Sequence, residues 1–514
     1  MMRCLRVLPA RLAMLALAAV CQSLTAQGQA KTDSPVFKKY RPPPEPPLIE
    51  PSDALSQIWQ TFLVTRRANA GDVVAQHELG IRYLLGKGAA PDTVKAAEWI
   101  KRAALQNYLP ARFNFGILCY HGWGTPWNPF DAFRNFRFAA ERGMPEAEFA
   151  MAQFMSEDLI VARNDSAAYA WAKMAADSGY APAKEAIKQI ERQGLGGGTA
   201  DSARGTGAPP AGLVFLDFPV DTATASGDSL LLRDAIRSAG PALQKALGMQ
   251  KILESDAQTD SATIAGLQDA ADAGSPEALT ILGRAYATGR GVAKHVVRAC
   301  AYYVRAVRLD AARAPELLQG LLQDNETLAE VKSASARGDP EASFAWAGCA
   351  ALGFDLLLLQ GNSYIAGDQA LALFRTSGEK RYLPAMVEMG LCYYAGRWVP
   401  ADREKALEIW RDAAARGSID ARIRVLLTLL RERKDATDFG EIAALMAASD
   451  SGSVLAQVGL GFCFETGTGV PVSKGVAARF YRAAWIRGSQ DAYRALRRMH
   501  DAIRPAEAEF RLEQ

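Results

Sequence analysis

The chain has 514 residues, 49% of them hydrophobic and 22% charged, which excludes bulk disorder and exceeds what one compact core holds. Lys and Arg number 59 against 56 Asp and Glu, a net charge of +3, and Arg3, Arg6 and Arg11 account for the excess. The neutral remainder argues against nucleic acid or an anionic membrane as main partner, since both select basic surfaces. Four scattered histidines (His77, His121, His295, His500) leave little for histidine-based metal chemistry.

At the N-terminus, Arg3 and Arg6 precede an apolar stretch, Leu12 to Val20, and then small and polar residues. That order is the pattern of a secretory signal, and the stretch is short of the about 20 residues that span a bilayer. Residues 1–30 are therefore expected to be a signal peptide cleaved after Ala26 or Ala30, which places the protein in the periplasm or outside the cell. Lipidation at Cys21 is the alternative, and Val20 fits it poorly. Residues 31–51, including RPPPEPPLIEP from Arg41 to Pro51, read as an extended polyproline spacer. No later segment is apolar enough to cross a membrane.

From residue 52 the sequence repeats itself. Starting at Ala75, Leu79, Gly80, Tyr83, Gly86 and Gly88 form a frame that recurs 36 residues later as Ala111, Phe115, Gly116, Cys119, Gly122 and Gly124. It returns at Ala278, Ala385 and Ala456, with weaker copies at Ala147, Ala342 and Ala421 and truncated ones at Ala183 and Ala492. A fixed period in this range means a solenoid. Numbering each unit from its alanine, positions 0, +4, +8 and +11 share a helical face, so the first half is an amphipathic helix. The glycine at +5 (Gly80, Gly116, Gly283, Gly390, Gly461) leaves room for a neighbouring helix, and the glycines at +11 and +13 end the first helix. A second helix follows, with Ala96, Trp99, Ile100, Ala103 and Ala104 on one face; Trp171, Trp410 and Tyr481 read as counterparts of Trp99. A glycine then closes the unit at Gly143, Gly179, Gly417 and Gly488.

This pattern, A-x3-LG-x2-Y-x2-G-x-G, then A-x2-W and AA, then G, resembles the Sel1-like repeat, a member of the tetratricopeptide-like α-solenoids. The resemblance covers roughly residues 52–193 and 258–500. It implies an all-α, right-handed superhelical solenoid of helix-turn-helix repeats in two arrays, acting as an interaction scaffold whose curved surface holds a protein or peptide. Ala152 and Leu426 replace the +5 glycine in the copies at Ala147 and Ala421, so those copies depart from the pattern. Between the arrays, residues 194–257 form an irregular insert: Gly194 to Gly212 is a Gly/Ser/Pro-rich linker, and Leu213 to Val220 (LVFLDFPV) is either a short strand or a segment lying in a solenoid groove. Residues 501–514 are a C-terminal tail.

Chemistry is sparse. The His77–Glu78 pair lacks the second histidine four residues on that a metalloprotease helix needs. No nucleophile elbow, paired carboxylate motif or Cys-x-x-Cys occurs, and the Gly-x-Gly loops recur at every hairpin as turns. One secreted branch of the resembled family pairs cysteines within each repeat and is linked to penicillin binding and hydrolysis. Here five cysteines follow the signal: Cys119, Cys300, Cys349, Cys392 and Cys463. An odd number cannot pair fully, and equivalent positions on stacked helices lie about 8–10 Å apart, so buried free thiols are expected.

First helices line the concave face of such solenoids, so the resemblance makes the +2 and +3 residues, read as outward-facing, the candidate contacts: His77, Glu78, Phe113, Asn114, Val387 and Glu388. Plain solvated surface is the competing reading of these positions. Turn tryptophans Trp123, Trp127 and Trp398 are alternative contacts, for a glycan among others. The expectation is a monomeric, non-enzymatic scaffold binding a protein or peptide in the bacterial envelope, without cofactor, metal, nucleic acid or membrane insertion. The alternative is an envelope enzyme, or a cofactor of one, acting on peptidoglycan or β-lactams.

Overall fold

A computed structural model describes residues 53–192, 261–311, 313–353, 367–432 and 439–512. The signal, the spacer and the whole insert, including Leu213 to Val220, lie outside these residues. The described residues hold 22 α-helices and no strand. In the first part these are α1 (Asp53–Asn69), α2 (Val73–Leu85), α3 (Thr93–Leu105), α4 (Leu109–His121), α5 (Pro129–Ala140), α6 (Pro145–Ser156), α7 (Asp165–Asp177) and α8 (Ala181–Arg192). The second part continues with α9 (Ser261–Asp272), α10 (Pro276–Thr288), α11 (Val296–Arg308), α12 (Ala314–Gln323), α13 (Asn325–Ala336), α14 (Pro340–Ala351) and α15 (Gly367–Glu379). It ends with α16 (Leu383–Ala395), α17 (Arg403–Ala415), α18 (Ile419–Glu432), α19 (Phe439–Asp450), α20 (Val454–Thr466), α21 (Lys474–Ile486) and α22 (Gln490–Asp501). The chain divides into two compact units; the second takes in residues 158–162 as well as the helices from α9 onward.

Local chemistry sets the hairpins. The +11 glycine ends each regular first helix in the left-handed region, with φ 63° at Gly86 and 69° at Gly122, a conformation that costs glycine little. The +13 glycine is left-handed too (φ 63° at Gly124) and is also needed for space, since a Cβ on Gly124 would collide with the carbonyl of Thr93, where the preceding second helix starts. Second helices begin on Asp92, Asn128, Asn164 and Asp402, whose side chains accept backbone N–H groups. The unit-closing position also takes Asn107 (φ 62°) and Asp310 (φ 59°), two residue types that tolerate the left-handed region.

The packing of the two helices in a unit rests on one pair of positions. Ile100, Phe136, Tyr303, Trp410 and Tyr481 all lie at +25, and each covers the +5 glycine of its own unit. A Cβ on Gly80 would sit 2.5 Å from Ile100, on Gly283 2.5 Å from Tyr303, and on Gly461 2.6 Å from Tyr481. In the unit at Ala147 the pair is Ala152 with Ala172, both fully buried. A larger +5 residue thus goes with a smaller +25 residue, so this copy keeps the regular hairpin. Trp99 and Trp171 stand at +24 and are only partly buried, so they are not the counterparts of Trp410 and Tyr481 that the sequence suggested.

Candidate functional site

The +2 and +3 side chains do not face solvent. His77 and Asn114 are fully buried, and Phe113, Val387 and Glu388 are nearly so; of the six candidates Glu78 alone is partly exposed. The cause is the layer they occupy. Each regular first helix packs between the second helix before it and its own second helix, and adjacent first helices also touch, so a single-face reading leaves too much of it outside. Asn114 Nδ2 donates to His77 Nε2 at 2.8 Å, joining one first helix to the next. Tyr108 meets the His77 ring edge-on at 5.4 Å, and burial pushes the imidazole down to about 4, so it is neutral at physiological pH. Phe113 packs edge-on against Phe136 at 5.4 Å. The Val387 carbonyl accepts from Trp410 Nε1 at 3.1 Å. Glu78 pairs with Arg82 at 3.0 Å within its own helix.

In the second unit, arginine–glutamate pairs tie together hairpins far apart in sequence. Arg308 donates to both Glu388 oxygens, at 2.8 and 2.6 Å. Arg487, after α21, donates to both Glu277 oxygens at the start of α10, at 2.9 and 2.7 Å, and its side chain is 1% exposed. Ser275 Oγ and Gln457 Oε1 accept further, longer bonds from it. Burial alone would raise the Glu277 carboxyl, but the Arg487 charge and hydrogen bonds outweigh it and hold the group below the usual carboxylate range. The first and last regular hairpins of this unit therefore meet.

The turn tryptophans also serve the fold. Trp127 is buried against Gly122, Trp123 stacks on His121 at 4.6 Å, and Trp398 lies against Gly367. Burial raises the Cys119 and Cys463 thiols to about 12 and Cys392 to about 11, so these are unreactive fillers. Among the described residues no group of three or more His, Cys, Asp or Glu could hold a metal ion. No described helix is long and apolar enough to cross a membrane.

What the molecule does expose is a stripe on α1. Ile58, Trp59, Phe62 and Leu63 are 56%, 60%, 50% and 41% exposed, and Trp59 stacks on Phe62 at 5.3 Å. Of eight large apolar side chains exposed among the described residues, these four and Val94 and Leu105 of α3 make six. The opposite side of α1, with Thr61, Val64 and Ala68, packs on α2. Gly88 abuts the Gln57 carbonyl as Gly124 abuts Thr93, so α1 takes the place of a second helix, with the stripe on its side away from α2. The signal in the sequence was IWQTFL, four large apolar residues on the side of a helix that the core does not need.

The Sel1 repeat family matches residues 73–108, 109–144, 145–180, 276–310, 383–418 and 454–485. A protein of Neisseria meningitidis serogroup B, NMB1327, is 30% identical over 135 residues, which is 26% of this chain and 28% of that protein. Among solved structures, c5321, a protective antigen of uropathogenic Escherichia coli with an SLR fold, is 20% identical over 87% of this chain and 91% of that one, with a TM-score of 0.30. A Sel1 repeat protein from Oxalobacter formigenes is 18% identical over 88% and 82%, with a TM-score of 0.22. The chain thus carries six Sel1 repeats, and the hairpins they form are those of an α-solenoid.

Proposed function

We propose that this protein is a non-enzymatic scaffold of the bacterial envelope that holds a protein or peptide partner on the outer face of α1. Sel1 repeats generally mediate protein interactions. The observation that carries the reading is the stripe of Ile58, Trp59, Phe62 and Leu63, large apolar side chains in water beside a helix face already satisfied by α2. Tryptophan and phenylalanine supply large contact area for little lost side-chain freedom, and such anchors dominate many interfaces. The buried +2 and +3 residues support the stripe only indirectly, by keeping the hairpins in register. Envelope location rests on the N-terminal pattern of Arg3, Arg6 and Leu12 to Val20.

Affinity capture from an envelope extract, with the native chain and a Trp59→Ser/Phe62→Ser variant side by side, tests the site. The native chain should retain a partner that the variant loses, with binding weakened by roughly 1–4 kcal/mol. Equal retention by both would remove the stripe from the interface. N-terminal sequencing of the exported form should start near residue 27 or 31; an intact Met1 there would refute export through a cleaved signal. Turnover of peptidoglycan or a β-lactam by the purified chain would overturn the non-enzymatic part of the proposal.

A further inference from the structure

At a regular junction a short loop carries the chain from a second helix into the next first helix, as from Leu105 to Leu109 or from Ala415 to Ile419. One junction is different. After α11 the chain leaves through α12 and α13 and returns only at Pro340, yet α14 packs directly on α11, where the next first helix belongs. The position-for-position contacts are also those of a regular junction. Elsewhere the +22 residue of one unit meets the +7 residue of the next, as Phe133 meets Phe154 with ring centroids 5.7 Å apart. Across α11 and α14 the same two positions hold Cys300 and Cys349, with sulfurs 3.9 Å apart. Both are fully buried, among Leu318, Leu322 and Val331 of the inserted helices. The expected spacing of about 8–10 Å holds for equivalent positions on stacked helices; Cys300, on a second helix, falls outside it.

We propose that Cys300 and Cys349 are a disulfide-forming pair that staples α14 to α11 across the inserted helices when the chain folds in contact with a small-molecule disulfide. In the chemistry, the thiolate of one cysteine attacks the disulfide of oxidised glutathione and releases one glutathione thiolate. The other cysteine's thiolate then attacks the protein sulfur of the mixed disulfide and releases the second. Two protein thiols are oxidised to one S–S bond, one glutathione disulfide is reduced to two thiols, and the two protons end on the released glutathiones. The bond closes a loop of 49 residues, replacing the short covalent link that the insertion removed from this junction.

The full chain, unfolded under reducing conditions and refolded in glutathione buffers of rising oxidised fraction, is alkylated and mapped by mass spectrometry, so the result does not depend on where the protein works. The expected product is a peptide pair joining Cys300 to Cys349, with Cys4, Cys21, Cys119, Cys392 and Cys463 alkylated. Oxidised protein should melt about 5 °C or more above reduced protein, a difference absent from the Cys300→Ala/Cys349→Ala chain. Recovery of Cys300 and Cys349 as separately alkylated thiols at every glutathione ratio would overturn the proposal, as would either one joined to another cysteine. If the double variant does not fold, the map of the native chain decides alone.

Discussion

In the first unit, the polar contacts are local: Arg112 with Asn135 and Gln106 with Gln76 each lie within one hairpin and span 23 and 30 residues, and Asn114 with His77 joins neighbouring hairpins over 37. In the second unit, Arg308 reaches Glu388 over 80 residues, Asp310 accepts from the Gln490 backbone over 180, and Arg487 reaches Glu277 over 210. The hairpins are the same, with the same +5 and +25 packing. The difference teaches that a repeat array follows nearest-neighbour energetics only while its ends stay apart. Once the last hairpin returns to the first, each hairpin's position depends on all those between them, and contacts far from the break feel it.

The sharpest way to break this comparison is Arg487→Ala. Removing one partner of a buried pair leaves the Glu277 carboxylate without its counter-charge and should cost about 3–5 kcal/mol. Calorimetry should show the transition of the second unit falling while that of the first stays in place; a first-unit transition that moved equally would refute the contrast. Next in size is Gly283→Val against Gly116→Val, the same +5 position in each unit. Each forces side-chain bulk against the +25 ring and should cost about 1–3 kcal/mol. Hydrogen exchange should localise the damage to two or three helices for Gly116→Val and spread it through the second unit for Gly283→Val.

Acid sharpens the comparison further. His77 has its folded value lowered from 6.5 to about 4, so the unfolded chain binds more protons between those values. Stability from this group is full above pH 6.5, falls as pH drops toward 4, and levels below. His77→Gln should flatten that slope in the first unit, which denaturant midpoints read at several pH values. His500, buried in the second unit with its value lowered to about 3, gives that unit a slope of the same sign that His77→Gln leaves intact. The Glu277 carboxyl, held low by Arg487, adds stability that is lost only when pH falls below the usual carboxylate range. The smallest effect is that of Trp59→Ser/Phe62→Ser on folding, within about 0.5 kcal/mol, because these side chains are already in water.

Much of the hairpin was legible in the sequence, for a physical reason. The +5 and +11 glycines are demanded by close approaches and turns that recur in every regular repeat, and the +13 glycine in all but the one at Ala385, where Trp398 stands, so their spacing alone exposes them. His77, Asn114 and Glu388 were misplaced because helical periodicity reports one buried face, whereas a first helix is enclosed on several. A polar residue on the second face looks solvated until its partner is known, and Asn114 lies 37 residues from His77. Arg487 and Glu277 were beyond any such reading, since nothing local links residues 210 apart. The α1 stripe was readable as four unneeded apolar residues, but it precedes the first repeat, where the frame offers no position to compare.

The +5 and +25 positions bear on how such chains grow. Gly80 with Ile100, Gly283 with Tyr303 and Ala152 with Ala172 are different solutions to one fit, and each is complete within its own hairpin. A point mutation at either position breaks a match that a second change must restore. Duplicating or exchanging a whole hairpin carries both halves of the match together. Lineages of this protein should therefore change by copying and trading entire hairpins more readily than by substituting these two residues, and its breakpoints should fall between units, where α12 and α13 already interrupt the series.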